Sequence, residues 1–295
     1  MKIIILIIAI YTYGLNYSFA QIIDTCTKSG SLIVVDESSH KIVFENNSDK
    51  LIYPASLVKL MTAYLVLEAI QNKKISLDKN IYFSPRAEEV SKVNKYNTLN
   101  IKVGDKISVE NALIGLIVKS YNENAVALAE AISMNEWSFV RLMNKKALEL
   151  GMINTSFRNA SGLHEEGQYT TALDLAKLAL RLKIDFPSFY GLFSEKEFSY
   201  KNISSKSNNR FLYEYEGAEG MKTGFTSASG YNLVATAKRN DYRLFSVVTG
   251  CENSLKRFSL TKFILDMSFL EMEQNNKFYF KKISLKSLEE IYKNQ

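Results

Sequence analysis

Histidine is nearly absent from this 295-residue chain, which has only His40 and His164. A Ser-His-Asp triad or a histidine-rich metal site has little to draw on, and "HEEG" at His164 reads as a polar loop. The sequence also lacks an H-E-x-x-H pair, a C-x-x-C pair, a phosphate-cradling glycine loop and a G-x-S-x-G elbow. Neither a dense basic block nor a nucleic-acid motif is found. The net charge of +6 comes from scattered lysines, so no nucleic-acid partner is expected and the excess reads as solvated surface that would favour anionic membranes or acidic substrates. There is no internal repeat and no low-complexity segment. If the chain is an enzyme, its base is not expected to be histidine, and no metal or cofactor is expected.

What the chain does have is apolar bulk. With 46% hydrophobic and 23% charged residues it can bury a sizeable core. At the N-terminus Lys2 precedes "IIILIIAI" and then "NYSFAQ", where Ser18 and Ala20 form the small-x-small pattern of a signal-peptidase site. Residues 1–20 are thus expected to be a signal peptide and the protein to act outside the cytoplasm. The uncharged run 3–15 would otherwise be an anchor, though it is short for a spanning helix. "IDTC" lacks the small residues that precede a lipidated cysteine. The two cysteines of an exported chain leave a disulfide or two free thiols open. Cys26 precedes the strand-like "SLIVVD", and Cys251 closes the strand-like "RLFSVVTGC". If those strands are antiparallel neighbours, the start of one faces the end of the other and the two cysteines would meet.

"SLIVVD", "ESSH" and "KIVFEN" read as a β-hairpin. Residues 75–106 show no sustained periodicity and are expected to be loops and short strands. Helical spacing then runs from "SVENALIGLIV" through "NAVALAEAI" to "WSFVRLMNKKALELG", with Gly151 as a C-cap, and on to "TALDLAKLALRLK" behind Thr170 or Thr171. "EFSYKN", "GMKTGFT", "YNLVATAKR" and "YRLFSVVTG" return to β-formers, and "SLKRFSLTKFILDMSFL" closes with a helix. The order predicts an α/β (α+β) fold: one antiparallel sheet built from both chain ends with a helical insertion.

Within "YPASLVKLMTAYLVLEAI", Ser56 and Lys59 lie three residues apart at the head of an apolar helix. Ser-x-x-Lys is weak alone and recurs at Ser38, Ser76 and Ser259, in a turn, a polar loop and a late helix. Only at Ser56 does one helical turn set the lysine on the serine's face beside unpaired N–H groups that favour negative charge. A lysine in a dry site beside another cation loses proton affinity and can act as a base. "KSYNENAVALAEAI" adds Ser120-Tyr121-Asn122 at a helix junction. "EGMKTGFTSASGYNLVATA" adds Lys222-Thr223-Gly224 on a strand leading into a glycine turn. Each is weak alone, but the ordered set is the signature of penicillin-binding proteins and class A β-lactamases.

On these motifs, and on "LGMINTSFRNASGL", "TTALDLAKLA" and "SGYNLVATA", the chain resembles the serine D-alanyl-D-alanine carboxypeptidases, low-molecular-mass penicillin-binding proteins, over roughly residues 30–270. The resemblance implies a β-lactamase/transpeptidase-like fold, an antiparallel sheet flanked by helices with the active site against a helical subdomain over roughly 75–185, and a catalytic domain over 21–270. It also implies a peptidoglycan stem peptide as substrate, with β-lactams as covalent inhibitors. In such an enzyme Ser56 would be the nucleophile, Lys59 its base and Ser120 a proton relay. Lys222 would keep Lys59 neutral, and Asn122 would orient Lys59 and bind the substrate amide. The N–H groups of Ser56 and Phe225 would form the oxyanion hole. Thr223, Lys222, Arg257 and Arg210 would receive the substrate carboxylate. Gly224 completes the strand motif.

Two positions depart from the pattern. Tyr121 stands where relatives commonly carry a small residue, which would change pocket width or peptide preference, and Phe225 stands where many carry histidine. In the tail 271–295, Leu285, Leu288 and Ile291 or Tyr292 recur at helical spacing among lysines, leaving open a helix on the domain or peripheral membrane contact. A DD-endopeptidase or a non-catalytic wall-binding protein on the same fold are the competing readings.

Overall fold

The computed structural model describes residues 26, 30–93 and 97–273. The segment 1–20 and the tail 274–295, on which the signal-peptide and terminal-helix expectations fall, lie outside the described residues.

Strand β1 (Leu32–Asp36) turns back through "ESSH" into β2 (Ile42–Asn46), as its β-branched run predicts. The chain reaches the sheet again only after the helices, as β7 (Ala218–Thr226), β8 (Gly230–Arg239) and β9 (Tyr242–Cys251). The strand order is β2-β1-β9-β8-β7, and every neighbouring pair is antiparallel. A strand from the start of the described chain, β1, therefore lies beside the last described strand, β9.

Alternation in these strands explains why both faces of the sheet are covered. Ile33, Val35, Phe245 and Val247 join the core beneath the helices, whereas Leu32, Val34, Leu244 and Val248 join a second core under the closing helix (Ser254–Glu273). On the first face the central helix α1 (Lys59–Gln71) is buried nearly all round, as suits a helix without a polar stripe. A 3₁₀ turn, Ala55–Val58, leads into it, so Ser56 sits in that turn rather than in regular α-helix.

Between α1 and the sheet strands come β3 (Asn80–Tyr82), α2 (Pro85–Ser91), β4 (Lys106–Ser108), α3 (Val109–Val118), α4 (Asn122–Ile132), α5 (Glu136–Glu149) and α6 (Ala172–Asp185). Of the expected caps, Thr171 accepts from the Asp174 N–H and Gly151 has φ +71°, and Ser108 likewise caps its helix by accepting from the Asn111 N–H. Helix α2 corrects the expectation of only loops and short strands in 75–106. Its signal was local: Ser84 accepts from the Ala87 N–H at 3.1 Å, and Pro85 opens the helix. "EFSYKN" supplies β5 (Glu197–Tyr200), which pairs with β6 (Ile203–Lys206) in a separate two-stranded ribbon rather than in the main sheet. A short turn of helix, α7 (Phe211–Glu214), precedes β7, and α8 is the closing helix Ser254–Glu273.

Cys26 and Cys251 are joined by a disulfide, which closes a span of 225 residues. It ties the segment ahead of β1 to the end of β9, as their antiparallel pairing allows.

Candidate active site

Because α1 is the central helix, its first residue is carried into the core, and no surface of Lys59 is exposed. An ammonium there needs partners. Lys59 Nζ lies 3.1 Å from Ser56 Oγ, 2.8 Å from Asn122 Oδ1 and 2.5 Å from the Ser161 carbonyl oxygen. One amine thus gathers the Ser56 turn, the start of α4 and the "NASGL" loop.

That loop is itself fastened to α1 and closed on itself. Thr62 Oγ1 donates to the Ala160 carbonyl at 2.7 Å, and Asn159 Oδ1 accepts from the Gly162 N–H at 2.7 Å. Gly162 has φ +82°, and its missing side chain lets the loop press on the Ala55 carbonyl. Ala55, the residue before the serine, takes φ +49°, an uncommon conformation for a residue with a Cβ. The serine is therefore presented on a braced, sharply turned backbone.

On the opposite side runs β7, the free edge of the main sheet. A Cβ on Gly224 would stand 3.3 Å from Leu57 N and from the Pro54 carbonyl, so any side chain there would press the strand and the Ser56 turn apart by a few tenths of an ångström. This is a physical reason for the third residue of Lys-Thr-Gly. The half-buried Thr223 and the exposed Phe225 flank it, and the Phe225 ring packs on Tyr231 with centroids 4.3 Å apart.

Lys222 is buried, and its Nζ donates to the Thr223 carbonyl at 3.1 Å. Burial first, and then the Arg257 guanidinium, push Lys222 down to about 7. Burial and then the Lys222 charge push Lys59 well below the usual lysine range, with the Glu123 carboxylate pulling the other way. Arg257 Nη1 donates to the Asn232 carbonyl at 3.3 Å, and burial lowers Arg257 to about 10, opposed by Tyr231. Its Nε is buried without a partner among the described residues.

Ser120 takes φ +64°, and its buried Oγ likewise has no partner among the described residues. Tyr121 corrects the expectation of an altered pocket. Its ring is buried edge-on to Phe198 of β5 with centroids 5.6 Å apart, and beside Gly115 of α3, so its bulk fills the core. Arg210 is exposed, pairs with Glu214 at 2.6 Å and lies over the Phe258 ring. Sequence reasoning passed over Ser161, Gly162, Asn232 and Glu123. "NASGL" was visible as a block, but a backbone carbonyl used as a ligand leaves no mark of residue type.

Among the described residues, no group of His, Cys, Asp and Glu side chains could hold a metal ion. Chemically, the arrangement is a serine hydroxyl against a lysine held dry among cations, bordered by an open strand edge.

This sheet, its helical insertion and the Ser-Lys pair between them define the penicillin-binding, transpeptidase-like fold class. The chain belongs to the D-alanyl-D-alanine carboxypeptidase family of peptidases, whose family model matches residues 20–253. It is 37% identical over 240 residues to the D-alanyl-D-alanine carboxypeptidase DacC of Escherichia coli (strain K12), covering 80% of this chain and 60% of that one. Among solved structures, penicillin binding protein 5 of Haemophilus influenzae aligns with a TM-score of 0.79 at 34% identity, over 83% of this chain and 71% of that one. Penicillin-binding protein D2 of Listeria monocytogenes, in its ampicillin-bound form, aligns with a TM-score of 0.71 at 29% identity, over 81% and 96% of the two chains. The chain spans about three fifths of the length of the curated relatives it matches.

Proposed function

We propose that this protein is a serine D-alanyl-D-alanine carboxypeptidase that removes the terminal D-alanine from peptidoglycan stem pentapeptides and is acylated by penicillins. One observation carries the reading: a fully buried lysine amine, depressed by burial and a neighbouring cation, 3.1 Å from a serine hydroxyl. The family supports the substrate class, and the ampicillin-bound Listeria relative supports acylation by β-lactams.

A neutral lysine amine has two N–H donors and one lone pair. With the two donors on Asn122 Oδ1 and the Ser161 carbonyl, the lone pair remains for the Ser56 hydroxyl. Ser56 Oγ then attacks the carbonyl between the last two D-alanines while its proton passes to Lys59. The extended peptide adds to the free edge of β7, so the N–H groups of Ser56 and Phe225 receive the oxyanion. Removing one such donor costs about 10²–10³ in rate. Ser120, whose hydroxyl has no partner among the described residues, relays the proton from Lys59 to the leaving amine, which returns Lys59 to its neutral form. Thr223, Lys222 and Arg257 hold the carboxylate of the departing D-alanine. Water then opens the acyl-enzyme. Arg210 pairs with Glu214 at the surface, and the carboxylate is assigned here to Thr223, Lys222 and Arg257.

The reaction belongs outside the cytoplasm, where the leader-like residues 1–20 and the disulfide would direct and suit the chain. Among the described residues no helix is long and apolar enough to cross a membrane.

The test is incubation of the purified protein with a fluorescent penicillin, a pentapeptide and a cross-linked dimer. The expected result is labelling that disappears in Ser56→Ala, with D-alanine released from the pentapeptide. Cleavage of the dimer alone would replace this reading with an endopeptidase, and labelling without turnover of either peptide would replace it with a binding protein.

A further inference from the structure

The residue after the Ser-x-Asn motif is Glu123, the second residue of α4. An acidic residue in a first helical turn is ordinarily exposed and helps to balance the helix dipole. Glu123 is instead completely buried. Its Oε1 accepts from the Leu99 N–H at 2.6 Å and from the Thr98 hydroxyl at 2.8 Å, while Oε2, equally buried, has no partner among the described residues. A carboxylate taken out of water with one oxygen unengaged is unfavourable unless a positive charge offsets it. The neighbouring Asn122 bonds Lys59 directly, so the same helical turn that orients the amine also carries the carboxylate.

The charges around Lys59 set what such a carboxylate would do. Two cations, Lys222 from β7 and Arg257 from α8, bear on the site in succession, Arg257 on Lys222 and Lys222 on Lys59. They favour the neutral amine before reaction. When Ser56 gives up its proton, however, Lys59 becomes a third buried cation, and the same neighbours oppose that step. Among the described residues, the charges acting on Lys59 are Lys222 against protonation and Glu123 in favour of it. The Ser161 carbonyl and Asn122 Oδ1 contribute dipoles without net charge.

Resting on the carboxypeptidase reading above, we propose that Glu123 is a positioning residue that acts as the counter-charge of the Ser-Lys pair: a buried carboxylate that stabilises the ammonium formed on Lys59 as Ser56 attacks. The proton moves from Ser56 Oγ to Lys59 Nζ as the Oγ–carbon bond forms, and Glu123 exchanges no proton. It keeps the base strong enough to accept while Lys222 keeps it free enough to start.

The test compares pH profiles of penicillin acylation (second-order rate constant) for the wild type, Glu123→Gln and Thr98→Val. Glutamine retains an oxygen for Leu99 and Thr98 and removes the charge. Loss of an attracting carboxylate weakens the lysine base, so the acid limb should move to lower pH by about half a unit or more, with the plateau rate reduced about tenfold. Thr98→Val removes one tether, keeps the charge and should leave the acid limb in place. An acid limb in Glu123→Gln that stays with the wild type, or shifts equally in Thr98→Val, would overturn the proposal and leave Glu123 as a loop anchor. Should Glu123→Gln fail to fold, Glu123→Asp serves instead: it keeps the charge and must keep the wild-type limb, and a displaced limb there would equally overturn the proposal. If the wild type itself is not acylated, the carboxypeptidase reading fails, which is a different outcome from an unmoved limb.

Discussion

Gly162 lies against Ala55 so closely that a Cβ built on the glycine would stand 2.0 Å from the alanine carbonyl oxygen. The contact joins the loop that supplies the Ser161 carbonyl to the turn that presents Ser56. The expected result of Gly162→Ala is a displaced serine turn, with penicillin acylation slowed about a hundredfold or more and stability reduced by about 2 kcal/mol or more. Gly151 separates the two costs. It has a similar φ of +71°, but a Cβ there would meet nothing within 4 Å, so Gly151→Ala carries only the backbone cost, about 1 kcal/mol, and should leave acylation unchanged. Stopped-flow labelling beside thermal denaturation of both variants checks the contrast.

The proposed mechanism needs Lys59 neutral and Lys222 charged, so its rate should rise with pH as the first loses its proton and fall as the second does. Since Lys222 sits at about 7, the descending limb of kcat/KM belongs near neutral pH. After burial, Arg257 is the cause of that low value. Removing a positive neighbour raises a lysine's proton affinity, so Arg257→Gln should carry the descending limb to higher pH. Because position on the pH axis is read separately from amplitude, the shift is measurable even where weaker carboxylate binding raises KM. A limb that stays near neutral pH would mean that Lys222 is not the titrating group.

Reduction of the Cys26–Cys251 bridge releases a loop of 225 residues. A cross-link of this kind is typically worth about 2–4 kcal/mol, which for a chain of this size is roughly 5–10 °C in Tm. The double substitution Cys26→Ala with Cys251→Ala should show that drop and lose the sensitivity of Tm to reductant. Acylation should survive at a temperature where the variant is folded. Tyr231, under the Phe225 ring, pairs with Cys251 in register, yet the rest of β8 is held to both β7 and β9 by its own ladders.

What could be read beforehand, and what could not, divides along physical lines. Ser56 and Lys59 were legible because one helical turn relates them, and the Cys26–Cys251 pairing because strand ends constrain each other. The runs of β-forming residues in β1, β8 and β9 disclosed the sheet. Helix α2 was missed because its seven residues are too few to show a period. The β5–β6 ribbon was merged with the sheet because β-forming composition does not name its partner. Ser161 and Gly162 act through backbone, which residue identity does not record. Tyr121 reads as an obstruction in the motif, and only the space beside Gly115 and Phe198 shows where its ring goes.

Lys222 should also impose a pH-dependent cost on the fold itself. In the folded protein it releases its proton at about 7, against 10.5 for an unperturbed lysine. Between those values the unfolded chain binds more protons than the folded one, so stability contributed by this residue rises with pH across that window. Below about 7 the folded state must also carry the buried charge, and the full penalty applies. Lys222→Met keeps much of the volume and removes the charge, so the variant should melt higher than the wild type at pH 7, by about 4 °C or more, with the difference shrinking toward pH 10. The same variant should lose acylation, because the cation that depresses Lys59 and receives the carboxylate is gone. Calorimetry across pH on both proteins decides the matter: a variant less stable than the wild type at neutral pH would mean that the lysine is held charged by an interaction that offsets its burial.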